Sequence, residues 1–363
     1  MNEPKKPFFL VRLIRFMFGQ HKISTLIIVA AILCAAGVNA YLIIVVGKPV
    51  AITKVTPVKV VPKPIPVVVK YYSPLTGLEI ANEAGKTAPV TAIMIENSPE
   101  ARPQSGLKAA GVVFEAIAEG GITRFMAVYQ SEKPQLIGPV RSVRPYYISW
   151  AAAFNASIAH VGGSADALDE VRNGNYRDID QFFNSATYWR STDRYAPHNV
   201  YTSFEKLDAL NSTKGYTSST FTGFTRAEGK ASLTPNATSI NVTISSSLFN
   251  STYAYNATTN SYDRSQAGAP HLDREDGQIS PNTVVAMYVN EYTESDGHEN
   301  ITSVGSGNAV IFQNGVATNA IWTKSSKTEQ LKFTDSAGVV IPLNNGKTWI
   351  VAVPNNGGDV TWL

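Results

Sequence analysis

Cysteine is nearly absent from this chain. The only one, Cys34, lies inside an uncharged apolar run, so no intrachain disulfide can staple a folded part. Histidine is scarce too: His21 precedes that run, which leaves His160, His198, His271 and His298 for the rest. With no cysteine ligand beyond the run and no H-E-x-x-H pair, no zinc site, other metal or cofactor is expected. There is no G-x-x-x-x-G-K-[ST] phosphate loop and no G-x-S-x-G elbow. No internal repeat is evident. A basic domain is missing as well. From Tyr71 onward 21 lysines and arginines face 27 acids, a net charge of −6, so nucleic acid is not an expected partner.

What is present begins with an address. Ile23 to Gly47 contains no charge, and a helix of that length crosses a hydrocarbon core of about 30 Å. The expectation is a transmembrane helix over 23–47. It is long for a signal peptide and no A-x-A-like cleavage site follows closely. Leu33 before Cys34 argues against a lipoprotein signal, which wants a small residue there. Residues 1–22 carry five basic residues, Glu3 as the one acid and the amphipathic "PFFLVRLIRFMFG", a segment suited to the inner leaflet. Residues 48–70 alternate Pro, Val and Lys. Their prolines forbid regular strand pairing, so they read as an extended stalk reaching on the order of 70 Å. The chain is therefore expected to cross the cell membrane once, with a cytoplasmic N-terminus and extracytoplasmic folded domains.

The folded part reads as α+β, with a layered α/β first domain over 71–220 and a β-rich second domain over 221–363. Short apolar runs at 88–97, 111–119 and 124–130 predict strands. Residues 164–173 and 202–211 have capping hydroxyls and helical apolar spacing. Residues 211–262, rich in Ser, Thr and Asn, read as a connection followed by exposed strands. From about Ile240 the pattern is nearly all β, with a hairpin turn at "QNG" 313–315. "GSGN" at 305–308 reads as a turn and "HLDREDGQ" at 271–278 as an acidic loop between strands.

Polar residues gather in six short blocks of the first domain, each mixing Gly or Pro with an ionisable side chain. They are Glu96–Asn97, 101–107, 119–125, 138–147, 160–164 and 188–199. Glycine lets backbone approach a ligand, and arginine offers a planar fork matched to phosphate or carboxylate. The expected ligand residues are Arg102, Arg124, Arg141, Arg144, His160, Ser164, Arg194 and His198, with Glu119 or His198 as proton carrier. The alternative for these arginines is a buried ion-pair network with Glu96, Glu115 or Glu119 that holds the fold. His160 suits a hydrogen-bonded core histidine better than a catalyst, and Asp193–Arg194 suits a local ion pair.

Together, "YYSPLTGL", "ARPQSGL", "EGGITRF", "IGPVRSVRPYY", "HVGGS", "YWR…DR…PHN…YTS", "GAPHLD", "GSGNAVIFQNG" and "KTWIVAVP" resemble the YerB-like family, bacterial envelope proteins of unknown function. The resemblance spans about residues 71–355. It implies a two-domain ectodomain and supplies no catalytic residues. Many relatives are lipoproteins, whereas this chain uses an apolar run and a stalk. An anchor followed by an arginine-rich α/β domain is also similar in plan to the LytR–CpsA–Psr phosphotransferases, though no strict motif is shared. Three functions follow as expectations. The first is binding of an anionic envelope ligand, with the second domain meeting a protein partner. The second is phosphotransfer or hydrolysis on a lipid-linked pyrophosphate. The third is a structural or assembly role.

Overall fold

The computed structural model describes residues 22–47 and 69–363. The expectations for residues 1–22 and for the stalk over 48–70 therefore lie, apart from their last residues, outside the described part. Helix α1, Lys22–Val46, is apolar around its whole circumference and exposes its side chains. It is long and apolar enough to cross a membrane.

The body from residue 69 on is organised by one ten-stranded sheet. Its first five strands in sequence are β1 (Thr91–Glu96), β2 (Val112–Glu119), β3 (Ile122–Tyr129), β4 (Ser157–His160) and β5 (Arg177–Asp180). The rest of the chain adds β6 (Ser239–Thr243), β7 (Ser251–Asn256), β8 (Ser261–Gln266), β9 (Ala269–Pro270), β10 (Thr283–Val289), β11 (Gly305–Gln313), β12 (Val316–Lys324), β13 (Lys332–Thr334), β14 (Thr348–Pro354) and β15 (Asp359–Trp362). The large sheet runs β13-β12-β11-β10-β14-β2-β3-β1-β4-β5. Residues 71–220 and 221–363 thus meet inside a single sheet, where Trp349 of β14 pairs in parallel with Val113 of β2.

The central strands are buried on both faces, which is why they read as unbroken apolar runs rather than alternating ones. Alternate side chains feed two separate cores. One face sends Phe114, Met126, Met287 and Ile350 against α2 (Pro145–Ala152) and α3 (Ala165–Asn173). The other sends Phe125, Trp349 and Val351 against α4 (Phe204–Thr213) and a second sheet, ordered β9-β8-β7-β6-β15. The second sheet corrects the expectation of exposed strands: Ile240, Val242 and Tyr253 are buried at every other position, so one face packs inward. Helix α2 went unread as a helix because its apolar residues run without a 3.6-residue period. Proline at its first turn starts it, and it is buried nearly all round. Phe114 stacks on Trp150 at 5.0 Å, and the Tyr147 hydroxyl donates to the Arg124 carbonyl at 2.7 Å.

"GSGN" is not a turn but the start of β11. Gly307 pairs with Trp322, and a Cβ there would come 2.6 Å from the indole nitrogen, so glycine makes room for the ring. The turn lies at Asn314–Gly315, with φ of 60° and 77°, the doubly left-handed form that suits a tight hairpin. A Cβ at Gly315 would also come 2.6 Å from the Tyr255 ring. Gly315→Ala is accordingly expected to cost more than about 1 kcal/mol in urea unfolding.

Candidate functional site

Strands β10, β14, β2, β1, β4 and β5 run in one direction. Ionisable residues close several of them: Glu119 ends β2, Glu96 ends β1, His160 ends β4 and Asp180 ends β5. In sheets of this kind the carboxyl edge, where neighbouring strands part, is the usual crevice for a ligand. Here β1 and β4 pair from Thr91 to Ile93 and then separate. Residues 140–143 fill the gap. The Arg141 N–H donates to Met94 O at 2.9 Å, the Val161 N–H to Arg141 O at 3.0 Å, and the Val143 N–H to Gly162 O at 3.0 Å. The split in the sheet therefore positions Arg141.

Arg141 meets Glu96, which in turn meets Ser98 and His198. Glu96 is buried and its Oε1 lies 3.3 Å from Arg141 Nε, 2.8 Å from His198 Nδ1 and 2.8 Å from the Ser98 hydroxyl. A carboxylate oxygen only accepts, so Nδ1 carries a proton directed at Glu96. No partner meets Nε2 among the described residues. Arg141 itself is 23% exposed and makes no hydrogen bond there, only the ion pair to Glu96. Burial is the largest influence on its pKa and lowers it; Glu96 opposes this, while Arg124 and Arg190 add to it.

Glu119, Arg124 and Arg144 form a second group. Glu119 Oε1 takes a bond from Arg124 Nη2 at 2.9 Å and Oε2 is in contact with Arg144 Nη2. Both arginines are buried, and each also donates to a main-chain carbonyl, Ser142 for Arg124 and Val143 for Arg144. The carboxylate of Glu119 is thus held between two guanidinium groups, as the ion-pair alternative anticipates. His298, 3.8 Å from Glu119, joins them from the second half.

The other expected residues take positions around the edge. Arg194 donates to the carbonyls of Glu100 and Pro103 at 2.8 and 2.6 Å, and Arg102 to Asn97 Oδ1 and the carbonyls of Asn97 and Leu248. Both tie down the loop after β1. The expected Asp193–Arg194 pair is replaced: Asp193 binds Arg274 at 2.6 Å, because the turn that follows β9 brings a second-half arginine nearer. His160 is fully buried, with Nδ1 2.8 Å from Gly162 O and Nε2 2.9 Å from Asp178. Both ring nitrogens are occupied, so it holds the 160–164 loop. Ser164 precedes α3 without a side-chain capping bond, and its hydroxyl is buried without a partner.

The expected ligand residues omit Glu96, Ser98, Arg190 and His298, although Glu96 and Arg190 lie within the six blocks. Glu96 carries a local signal, an acid closing an apolar strand. Ser98 and His298 carry none, since the contacts that bring them to the site, Ser98 to His198 and His298 to Glu119, span 100 or more residues of chain. Among the described residues no group of His, Cys, Asp or Glu is arranged to hold a metal ion.

Two family models match the chain, described as the N-terminal domain (residues 75–217) and the C-terminal domain (residues 240–350) of a protein of unknown function, DUF3048. YerB of Bacillus subtilis (strain 168), named as a lipoprotein, is 33% identical over 296 residues, 79% of this chain and 87% of its own length. The crystal structure of YerB from Bacillus subtilis matches with a TM-score of 0.72 at 27% identity, over 80% of this chain and 100% of that one.

Proposed function

The chain belongs to the YerB-like DUF3048 family, and on that premise we propose that it binds an anionic cell-envelope ligand at the carboxyl edge of its large sheet. The molecule is membrane-anchored by α1, crosses once with its N-terminus cytoplasmic, and holds the body outside. The supporting observation is Arg141. The other candidate arginines spend their N–H groups on protein acceptors, whereas Arg141 is mostly buried, faces solvent in part and makes no hydrogen bond among the described residues. An anion there would receive N–H groups that have no protein acceptor among the described residues. The β-rich second half, which supplies His298 and the Leu248 carbonyl to the same edge, is the surface for a protein partner.

The phosphotransfer or hydrolysis reading is favoured by one feature, the free Nε2 of His198 with Nδ1 fixed by Glu96. It assigns the proton to His198, since Glu119 is committed to Arg124 and Arg144. The structural reading accounts for those two arginines and for the Arg141–Glu96 ion pair, and leaves out only the part of the Arg141 guanidinium that faces solvent without a hydrogen bond.

Thermal melting of residues 69–363 tests the proposal with phosphate, pyrophosphate and phosphorylated glycan fragments. An anion at a hundred times its Kd adds about 2.7 kcal/mol. The expected result is a raised midpoint for the native protein and a normally folded Arg141→Ala variant that does not respond. An equal response in the variant refutes the assignment of the site to Arg141.

A further inference from the structure

Beside the 160–164 loop the body exposes two adjacent phenylalanines. Phe182 and Phe183, 67% and 70% exposed, lie in the turn that leaves β5 at the same carboxyl edge as Arg141. Two neighbouring rings shown to water leave apolar area unburied, at about 25 cal/mol per Å².

The turn is firmly built. Buried Asp180 accepts from the Phe182 and Gly162 N–H groups through one carboxylate oxygen, both at 3.2 Å. Its carbonyl accepts from Phe183 N–H at 3.2 Å and from the Asn184 side chain at 2.8 Å. Arg172 binds the other carboxylate oxygen at 2.9 Å and lies 5.0 Å from the Phe183 ring. Gly162 has φ +63°, and a Cβ there would come 3.3 Å from the Phe182 ring, so the ring rests on the glycine. One carboxylate therefore fixes both the aromatic turn and the loop whose backbone pairs with residues 141–143.

We propose that the ligand of this site is an anionic lipid within a bilayer, its headgroup held by Arg141 and its membrane interface met by Phe182 and Phe183. This rests on the anion-binding reading above and names the ligand class. Three observations select the bilayer as occupant. The Arg141 guanidinium, partly exposed and without a hydrogen bond among the described residues, complements an anionic headgroup. Aromatic rings favour the membrane–water interface. The same chain also carries a helix long and apolar enough to cross a membrane, which keeps a bilayer within reach of the body.

The test is vesicle flotation with residues 69–363. This part contains both apolar cores, and a relative of that extent has been crystallised on its own. Phosphatidylcholine vesicles with and without phosphatidylglycerol are the probes. The native protein should float with the anionic vesicles only. F182S/F183S, at exposed positions and with an unchanged melting midpoint, should bind at least about tenfold more weakly. Arg141→Ala should lose the preference for phosphatidylglycerol. A native protein that ignores both vesicles, or floats equally with F182S/F183S, overturns the lipid proposal. If free pyrophosphate still raises the native midpoint in that case, the anion site stands without the lipid. Binding that depends on the rings but keeps its anionic preference in Arg141→Ala overturns the headgroup assignment.

Discussion

Arg264→Ala is expected to lower the stability of the body by about 3–5 kcal/mol, read as a shift of the urea midpoint at unchanged slope. Arg264 lies in β8 and is fully buried. Its Nη2 donates to both oxygens of Glu115 in β2, at 3.1 and 2.9 Å. Glu115 also accepts from the Trp349 indole at 2.9 Å and from Thr123 at 3.3 Å. The guanidinium lies 4.6 Å from the Trp349 ring centroid. It also contacts His271 Nδ1, which accepts while Nε2 donates to Gln104 at 2.9 Å. Burial, with Arg264 and Arg102 nearby, drives the His271 pKa well below its usual value and keeps it neutral. Truncation leaves Glu115 charged and alone between the two sheets, and that stranded charge, not the lost contact, carries the cost. The double variant Glu115→Gln/Arg264→Met should therefore recover most of the loss. A single variant within about 1 kcal/mol of native would mean that water reaches the pair.

Glu119→Gln should cost about 2–4 kcal/mol, because it removes the carboxylate shared by two buried guanidinium groups. Its side chain is partly exposed, which keeps the expected effect below that at Arg264. The variant also separates roles. With Glu119 structural, the midpoint falls while any anion-induced rise through Arg141 persists. Normal stability with a lost anion response would instead place Glu119 in the binding site.

Much of the fold was legible. The strands at 91–96, 112–119 and 122–129 show as apolar runs, and the helices begin directly after Ser164 and Ser203, of which only Ser203 caps with its side chain. Ser203 accepts from the Lys206 N–H, as a helix start of that pattern requires. Helix α2 was hidden because total burial erases amphipathic spacing, and β6 and β7 read as strands but exposed ones because their polar residues masked an alternating buried face. At the site, the six blocks did converge on one edge, yet their arginines proved unequal. Arg124 and Arg144 have a carboxylate, Arg102 and Arg194 have amide or carbonyl acceptors, and Arg141 makes only a single ion-pair contact.

The amino-acid sequence by itself determined the local matters: an uncharged helix of membrane-crossing length, an α+β body without disulfides, the tight hairpin at Asn314–Gly315, and a first half dense in arginine. These depend on spacing, on backbone freedom and on charge per length, all properties of neighbouring residues. Only the tertiary structure decided which arginine keeps its N–H groups free, that His198 meets Glu96, that Arg264 meets Glu115, and that Phe182 is held out beside the site. Those pairings join residues 102 and 149 positions apart in the first two cases. A charge's partner is set by what the sheet order brings within about 4 Å, where a buried charge left without one bears its full desolvation cost, and no local pattern encodes that distance.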